Sequence, residues 1–153
     1  MNPIHRFPSL LAAGVFAASL AGCSRSSGPS IEGQVTIDGM PLPGAQLTFE
    51  PLDQSGKLGG AIAVTDATGA FELAPHPATG ETLPAGTYAV SVSRKVDPQG
   101  NVPAGNDFGQ MQAAGMLRET IPVKYMFQQG APPILSANIV DGDNELKLEL
   151  QSQ

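Results

Sequence analysis

The sequence is poor in the residues that build disulfide frameworks, metal clusters and nucleic-acid interfaces. Its 153 residues include one Cys, two His and no Trp, and only 14% of them are charged. A single Cys cannot form a disulfide within the chain, so stability has to come from packing and hydrogen bonding. The net charge is −6 and no basic cluster is present, which argues against nucleic acid as a partner.

The position of the single Cys gives the sequence its strongest motif. Arg6 belongs to a short basic segment, and residues 7–20 are almost wholly apolar or small. That run has the length of the apolar core of an export signal and is too short for a spanning helix, which needs about 20 apolar residues. The run ends in Leu20-Ala21-Gly22-Cys23, which resembles a bacterial lipobox. At such a motif a peptidase cuts before the Cys, and lipid is attached to that residue.

The lipobox resemblance predicts an exported lipoprotein held in a membrane. Residues 1–22 would be a cleaved signal peptide, and residues 23–30 a lipidated Cys23 followed by a flexible tether rich in Ser. Two or more acyl chains anchor a protein stably. Because Ser24 rather than Asp follows Cys23, the outer membrane is favoured over the inner one, with the domain facing the periplasm or the exterior. The alternative is an ordinary secretory signal with an incidental Cys.

Residues 31–150 carry the pattern of one all-β domain. Apolar and polar residues alternate with the period of two that is typical of half-buried strands. The clearest alternating runs are 31–37, 45–50, 86–93, 135–139 and 145–150. Shorter strands are predicted around Ile62 and around Phe71. Turn signals recur about every 8–12 residues, as in an antiparallel sandwich. We predict about seven strands and a hairpin between the first two runs.

Three stretches of the domain carry a family resemblance. Residues 35–49 read VTIDGMPLPGAQLTF, residues 65–71 read TDATGAF, and residues 84–92 read PAGTYAVSV. In this order they resemble the opening strands, the T-D-x-x-G-x-F turn and the P-x-G-x-Y-x-V-x-V strand of carboxypeptidase regulatory-like domains. The closing residues 121–125 and 141–150 are similar to small exported lipoproteins of planctomycetes. The resemblance implies a seven-stranded antiparallel transthyretin-like sandwich with Ig-like Greek-key connections, and it implies no reaction.

Residues 94–119 interrupt the alternation with a long irregular loop. Structureless loops beyond about 15 residues are uncommon in compact domains and are usually functional or disordered. Residues 110–118 are compatible with one or two helical turns. Because binding residues concentrate in loops on rigid scaffolds, this loop is the predicted lid or rim of a ligand site.

The candidate catalytic residues do not form a complete site. His76 lies between two prolines and has neither a nucleophile nor an orienting partner in a recognisable motif. Some transthyretin-like domains are hydrolases of 5-hydroxyisourate and resemble one another in a terminal Tyr-Arg-Gly-Ser. This chain ends in Leu150-Gln151-Ser152-Gln153 instead, which argues against that activity.

The candidate metal ligands also have simpler interpretations. Asp141, Asp143 and Glu145 offer oxygens to Ca²⁺, but Asp, Asn and Gly between two strands are first of all a hairpin turn, and Asp38 and Asp66 are turn residues in the same way. The methionines that offer soft ligands lack His or Cys partners and fit adaptable packing instead; they are Met111, Met116 and Met126. The two tyrosines are predicted as core or strand residues rather than as a platform for a sugar; they are Tyr88 and Tyr125.

The sequence therefore predicts a non-catalytic protein with no cofactor and no metal. The leading hypothesis is a β-sandwich module, anchored to the membrane through lipid on Cys23, that binds an envelope protein or has a structural role in the cell envelope. The alternative is a small-ligand or glycan binder that uses the 94–119 loop. A transthyretin-like hydrolase ranks last. The ligand and the partner cannot be read from these residues.

Overall fold

The computed structural model describes residues 28–53, 59–75, 80, 82–128 and 131–153. The predicted signal peptide, Cys23, most of the tether and His76 lie outside the described residues. The strands and the α-helix of the described part are, in chain order, β1 (Ser30–Ile37), β2 (Met40–Pro41), β3 (Gln46–Pro51), β4 (Ala61–Val64), β5 (Ala70–Glu72), β6 (Gly86–Ser93), β7 (Lys95–Val96), α1 (Asn106–Ala113), β8 (Arg118–Glu119), β9 (Leu135–Ile139) and β10 (Asp143–Leu150). A short 3-10 helix spans Val123–Tyr125. No helix among these residues has the length and apolar character needed to cross a membrane.

Two sheets face one another across the hydrophobic core. In the first sheet β1 is central: β10 runs parallel along one edge, and β2 and β5 pair antiparallel with the other edge. The second sheet is antiparallel, with the order β4-β3-β6-β9. A separate two-stranded ribbon joins β7 to β8. The described part of the chain is therefore an all-β sandwich, as the sequence predicts.

The alternation predicted from the sequence is confirmed in the principal strands. Phe49 of β3 and Tyr88 and Val92 of β6 are completely buried between the sheets, where they face Val35 of β1. The Phe49 ring lies 6.1 Å from the ring of Phe71 in β5, so an aromatic pair links the two sheets. Each of these side chains contributes about 1.5–3 kcal/mol by leaving water.

Two predictions about strand pairing are wrong. The runs 31–37 and 45–50 do not form a hairpin, because β1 turns back only over β2 and the chain then crosses to the second sheet, where β3 pairs with β4 and β6. The sandwich is also not wholly antiparallel, since β1 and β10 run parallel from the pair Ser30–Asp143 to the pair Ile37–Leu150. Periodicity shows which side of a strand is buried, but it does not show which strand lies beside it.

A buried hydroxyl fixes the start of the 65–71 turn, which carries the chain from the second sheet to the first. Thr65 is only 4% exposed. Its Oγ1 donates a hydrogen bond to the carbonyl of Leu42 (2.6 Å) and accepts one from the N–H of Ala45 (2.8 Å). The Thr of the T-D-x-x-G-x-F pattern thus ties this turn to the connection between β2 and β3.

The Asp and Gly of the same pattern shape the turn itself. The Asp66 carboxylate accepts hydrogen bonds from the N–H and hydroxyl of Thr68 (2.8 and 2.7 Å) and from the N–H of Ala70 (3.0 Å). The bonds from Thr68 hold the pKa of Asp66 below its ordinary value. Gly69 has a φ of 77°, and a Cβ there would lie 2.7 Å from the carbonyl oxygen of Val35. The prediction that Asp66 is a turn residue is confirmed.

Candidate binding site

The segment 94–119, hereafter the excursion, contains regular structure. Its two ends pair as the β7–β8 ribbon, and α1 lies between them. The sequence predicts helical turns at 110–118, whereas α1 begins at Asn106 and ends at Ala113. The ribbon was not predicted, because strands of two residues leave no alternation to detect.

The carboxylate of Glu119 accepts hydrogen bonds from groups at both ends of the excursion. Glu119 Oε2 accepts a hydrogen bond from the Ser93 hydroxyl (2.6 Å). Its Oε1 accepts from the backbone N–H groups of Arg94 (2.8 Å), Thr120 (2.9 Å) and Ile121 (2.9 Å). Burial acts to raise the pKa of Glu119, but these hydrogen bonds outweigh it and hold the pKa below its ordinary value. Glu119 is therefore ionised at neutral pH and holds the two ends of the excursion together.

The outward side of the second sheet, hereafter the outer face, is a surface on which two cavities open. The register places Thr48 of β3 between Ile62 of β4 and Ser91 of β6. The outward residues of these three strands are Gln46, Thr48, Glu50, Ile62, Val64, Thr87, Ala89, Ser91 and Ser93. Ala89 points outward and is nevertheless only 4% exposed. Part of the outer face is thus covered by another segment of the chain.

The first cavity lies where residues 124–128 and 131–134 border the outer face. Its volume is about 640 Å³, and its floor includes Glu50, Ala89 and Ser91. The described wall residues are mostly apolar and include Leu52, Met126, Phe127, Pro132, Pro133 and Ile134. Phe127 and Ile134 are 60% and 62% exposed, so the wall presents large apolar side chains to solvent. The sequence analysis placed Tyr125 in the core or a strand and Met126 in adaptable packing, and it proposed no binding site in this stretch.

The second cavity lies between the excursion and the other end of the outer face. Its volume is about 540 Å³. The floor includes Gln46, Val64 and Ser93, and the wall residues from the excursion are Lys95, Val102, Pro103, Gly105, Phe108 and Gln112. Lys95 Nζ donates a hydrogen bond to Gln112 Oε1 (3.3 Å). The excursion thus lines a cavity at the position where the sequence predicts a rim.

Charged groups near the cavities are few. Lys124 lines the first cavity, but its Nζ donates to the carbonyl oxygen of Gln153 and lies 5.1 Å from the centre of the Tyr125 ring. Glu50 is half-buried in the floor and has no hydrogen-bond or salt-bridge partner among the described residues. The hydroxyls of Thr48 and Ser91 likewise have no partner in that part of the chain.

The candidate calcium ligands lie on a turn that Asn144 organises. The Asn144 amide donates to the carbonyls of Val140 (2.9 Å) and Gly142 (3.1 Å), and its Oδ1 accepts from the N–H of Val140 (2.9 Å). The turn is not a hairpin, because β9 and β10 belong to different sheets. The three carboxylates proposed from the sequence are exposed: Asp141, Asp143 and Glu145. Within the described ranges no group of three His, Cys, Asp or Glu residues is placed to hold a metal ion.

The remaining side chains considered in the sequence analysis are two tyrosines and three methionines, and only the tyrosines are buried. Tyr88 and Tyr125 are buried, as predicted. The Tyr88 hydroxyl donates to the carbonyl of Pro84 (2.9 Å), and burial raises the pKa of Tyr88. The Tyr125 hydroxyl oxygen accepts from the N–H of Gln151 (2.9 Å). Of the three methionines, Met126 lines the first cavity, whereas Met111 and Met116 line neither cavity.

The outward side of the first sheet carries a row of carboxylates. The register places Glu32 of β1 directly between Glu72 of β5 and Glu145 of β10. Glu145 is paired with Lys147 at 3.5 Å, and both of those side chains are largely exposed. Like charges opposite one another in a sheet are destabilising, so this row is a surface feature that opposes folding.

Neither a family model nor a curated protein matches the chain. Among solved structures, the chain is similar to a DUF3823 family protein from Parabacteroides merdae, with 18% sequence identity and a TM-score of 0.40. The match covers 79% of this chain and 44% of that one, so this chain spans less than half the length of that protein. The resemblance to carboxypeptidase regulatory-like domains stays a prediction.

Proposed function

We propose that this protein is an exported, membrane-anchored module of the cell envelope that binds a partner without catalysis, on the outer face of a transthyretin-like sandwich. The first cavity is the observation that carries the binding half of the proposal. Its volume of about 640 Å³ and its apolar walls over a floor with a few polar groups suit a binding site. Exposed apolar side chains that cluster on one surface mark interaction sites more often than scattered ones do.

The strand order shows which end of the sandwich the proposed tether would join. The tether would lead from Cys23 to Ser30, whose N–H bonds the carbonyl of Gly142 (3.0 Å) at the connection from β9 to β10. That connection follows Ile139, which pairs with the first residue of β6. The excursion follows Ser93, the last residue of β6. The excursion and the second cavity therefore lie about 25 Å along β6 from the end of the sandwich at which the tether would attach.

The carboxylates with shifted pKa values support a non-catalytic role. Asp97 accepts hydrogen bonds from the N–H groups of Asn101 (2.8 Å) and Gln99 (2.9 Å), and the bond from Asn101 is the main cause that lowers the pKa of Asp97. Asp66 and Glu119 are likewise bonded to backbone groups near them. A general acid or base works best with a pKa close to the working pH. Together with Asp38, which accepts a hydrogen bond from the N–H of Ser152, these carboxylates have lowered pKa values and instead stabilise turns and loops.

The anchoring half is tested by metabolic labelling with an alkyne-tagged fatty acid in the native host. The full-length protein should incorporate the label, Cys23→Ser should incorporate none, and Ser24→Ala should match the unaltered protein. Retention of the label by Cys23→Ser, or no label on the unaltered protein, would contradict the anchor.

The binding half is tested in intact cells with a photoreactive diazirine amino acid at position 127 or, as a control, at position 40. Both native side chains are strongly exposed, but Phe127 lies on the first cavity whereas Met40 lies in β2 of the other sheet. A discrete adduct should form at position 127 alone. Equal adducts at both positions, or none at position 127, would contradict a binding surface on the outer face.

A second candidate function is the binding of a small ligand or a glycan with the excursion as one wall. The second cavity favours it, because the excursion supplies an aromatic ring, an amide and a lysine to the space above the sheet. Both candidates place the partner on the outer face.

A further inference from the structure

The two cavities lie one after the other along β3 and β6 on the outer face, and together with the surface between them they are hereafter called the trough. β3 and β6 form the floor of both: Ser91 lines the first cavity, and Ser93, two residues later, lines the second. Residues two apart on a strand are about 6.5–7 Å from each other. Thr48, which pairs with Ser91, is the outward residue of β3 between the two lined regions, and it lines neither cavity. From Glu50 to Gln46 the floor extends for about 13 Å, enough for an extended ligand.

The floor of this trough combines the apolar Ala89 and Val64 with several neutral polar groups and one carboxylate. It presents the amide of Gln46 and the hydroxyls of Thr48 and Ser91, none of which has a hydrogen-bond partner among the described residues. Phe108 of α1 stands at one end and Phe127 at the other. Rings at the ends and hydrogen-bonding groups along the bottom suit a ligand whose surfaces alternate between C–H groups and hydroxyls.

Charge argues against an anionic ligand. The chain has a net charge of −6, and the floor of the trough contains the carboxylate of Glu50. The cations that line the cavities are Lys95 and Lys124, and each already donates a hydrogen bond within the protein. A phosphate, a sulfate or an acidic sugar in the first cavity would be repelled by the Glu50 carboxylate in its floor.

The hydrogen-bond pattern argues against a peptide or a lipid chain. A peptide that joins a sheet needs unpaired backbone groups at a sheet edge. β3 and β6 are central strands, each paired with neighbours on both sides, so the floor offers side chains only. An acyl chain would bury the amide and hydroxyls of the floor without partners, at about 1–3 kcal/mol for each group.

We propose that the trough binds a neutral, linear oligosaccharide a few rings long. The C–H faces of the sugar rings would pack on Phe108 and Phe127, as amphipathic ligands pack on aromatic side chains. The hydroxyls of the sugar would exchange hydrogen bonds with Gln46, Thr48 and Ser91, and one would donate to the carboxylate of Glu50. This inference rests on the proposed function and names the class of its ligand.

The test is saturation-transfer NMR on the full-length protein in a detergent without a sugar head group. The probes are the neutral hexasaccharides of cellulose, chitin, xylan, mannan, laminarin and starch at millimolar concentration, with an oligogalacturonate as the anionic control. At least one neutral probe should bind. Phe127→Ala should weaken that binding about tenfold, and Ser91→Ala should weaken it several-fold. Phe127 is 60% exposed, so its removal leaves the fold intact.

Matched variants distinguish the trough from the rest of the surface. Val123→Ala removes an equally exposed apolar side chain that does not line the cavity, and Ser136→Ala removes an outward hydroxyl of β9. Both should bind the probe as the unaltered protein does. The proposal is overturned if no neutral probe binds, if only the oligogalacturonate binds, or if Phe127→Ala and Ser91→Ala bind as tightly as their controls.

If no oligosaccharide binds, the photoreactive residue at position 127 shows whether the sugar inference alone has failed or the proposed function has failed as well. A protein adduct at that position, together with no oligosaccharide binding, would overturn the sugar inference and leave the envelope module standing. Absence of every adduct, together with no oligosaccharide binding, would overturn both.

Discussion

Replacement of Glu119 by Ala tests whether one carboxylate holds the excursion on the sandwich. The carboxylate accepts four hydrogen bonds, three of them from backbone N–H groups. Thr120 N–H also donates to the carbonyl of Arg94 (3.0 Å) and keeps that partner in the variant. The N–H groups of Arg94 and Ile121 lose the acceptor that the structure gives them. At about 1–1.5 kcal/mol for each partly buried donor, Glu119→Ala should lower the free energy of unfolding by about 2–3 kcal/mol.

The pH dependence separates the charge of Glu119 from its shape. Glu119→Gln keeps an acceptor oxygen but loses the charge, and it should lower the free energy of unfolding by about 1 kcal/mol at pH 7. Since the folded state lowers the pKa of Glu119, its stabilising effect is fully present above the unfolded pKa and is lost as the pH falls through the folded pKa. The difference between the unaltered protein and Glu119→Gln should therefore shrink as the pH falls below about 4.5.

Urea denaturation followed by far-UV circular dichroism, at pH 7 and at pH 3.5, measures both effects on the full-length protein. Glu149→Ala is the matched control, because that carboxylate is exposed on β10 and accepts no hydrogen bond among the described residues. It should change stability by less than about 0.5 kcal/mol. A loss of that small size for Glu119→Ala, or a Glu119→Gln difference that does not change with pH, would refute the reasoning.

Three further substitutions test other parts of the fold by the same denaturation measurement. Thr65→Val keeps the shape of a buried side chain but leaves its two backbone partners unpaired, and it should destabilise by about 2–4 kcal/mol; a loss below 1 kcal/mol would contradict the assigned bonds. Gly69→Ala should destabilise by about 2–4 kcal/mol, whereas Gly39→Ala, with a φ of 78° but open space around it, should lose about 1 kcal/mol; equal losses would show that the close contact at Gly69 is unimportant. Glu32→Lys should stabilise by about 0.5 kcal/mol at low salt by relieving the carboxylate row, and the gain should shrink in 1 M NaCl; a gain unchanged by salt would exclude charge as its cause.

The sequence predicted the strands well because each has a buried and an exposed side. The residues assigned inward in the 45–50 and 86–93 runs are those that the core buries. The pattern around Ile62 correctly marked a strand, but Ile62 and Val64 are 62% and 61% exposed and the small Ala63 faces the core. Apolar residues on an edge strand therefore carry no information about which face is inside.

Pairing between distant strands could not be predicted in the same way. β1 and β10 are separated by most of the domain, and their parallel contact depends on where the chain crosses between the sheets. The Asp38-Gly39 turn is real, but it returns the chain for only the two residues of β2. A local turn signal thus predicted a hairpin where the chain instead changes sheets soon afterwards.

Only one wall of the candidate site could be predicted from the sequence, because the other wall has no periodic pattern. The excursion was conspicuous as a long interruption of the alternation, and it does form one wall of the trough. The other wall comes from residues 124–134, a short proline-rich stretch without periodicity whose apolar Phe127 and Ile134 have no place in a strand pattern. The one available signal was Ala89, a small apolar residue at an outward position of β6.

Ala89 also explains how a sandwich face that would ordinarily meet water becomes a trough. An outward side chain that is only 4% exposed must lie beneath another segment, and a methyl group allows that segment to approach the sheet closely. Beyond Ala89 the floor includes the hydroxyls of Thr48 and Ser91, and both residues are half-buried. The polar groups that hold the loops, Thr65 and Glu119, already have partners in the protein, whereas Thr48 and Ser91 on the outer face have none among the described residues. The polar side chains left for a ligand therefore lie between the excursion, which the strand pattern marked, and a second wall, which it did not reveal.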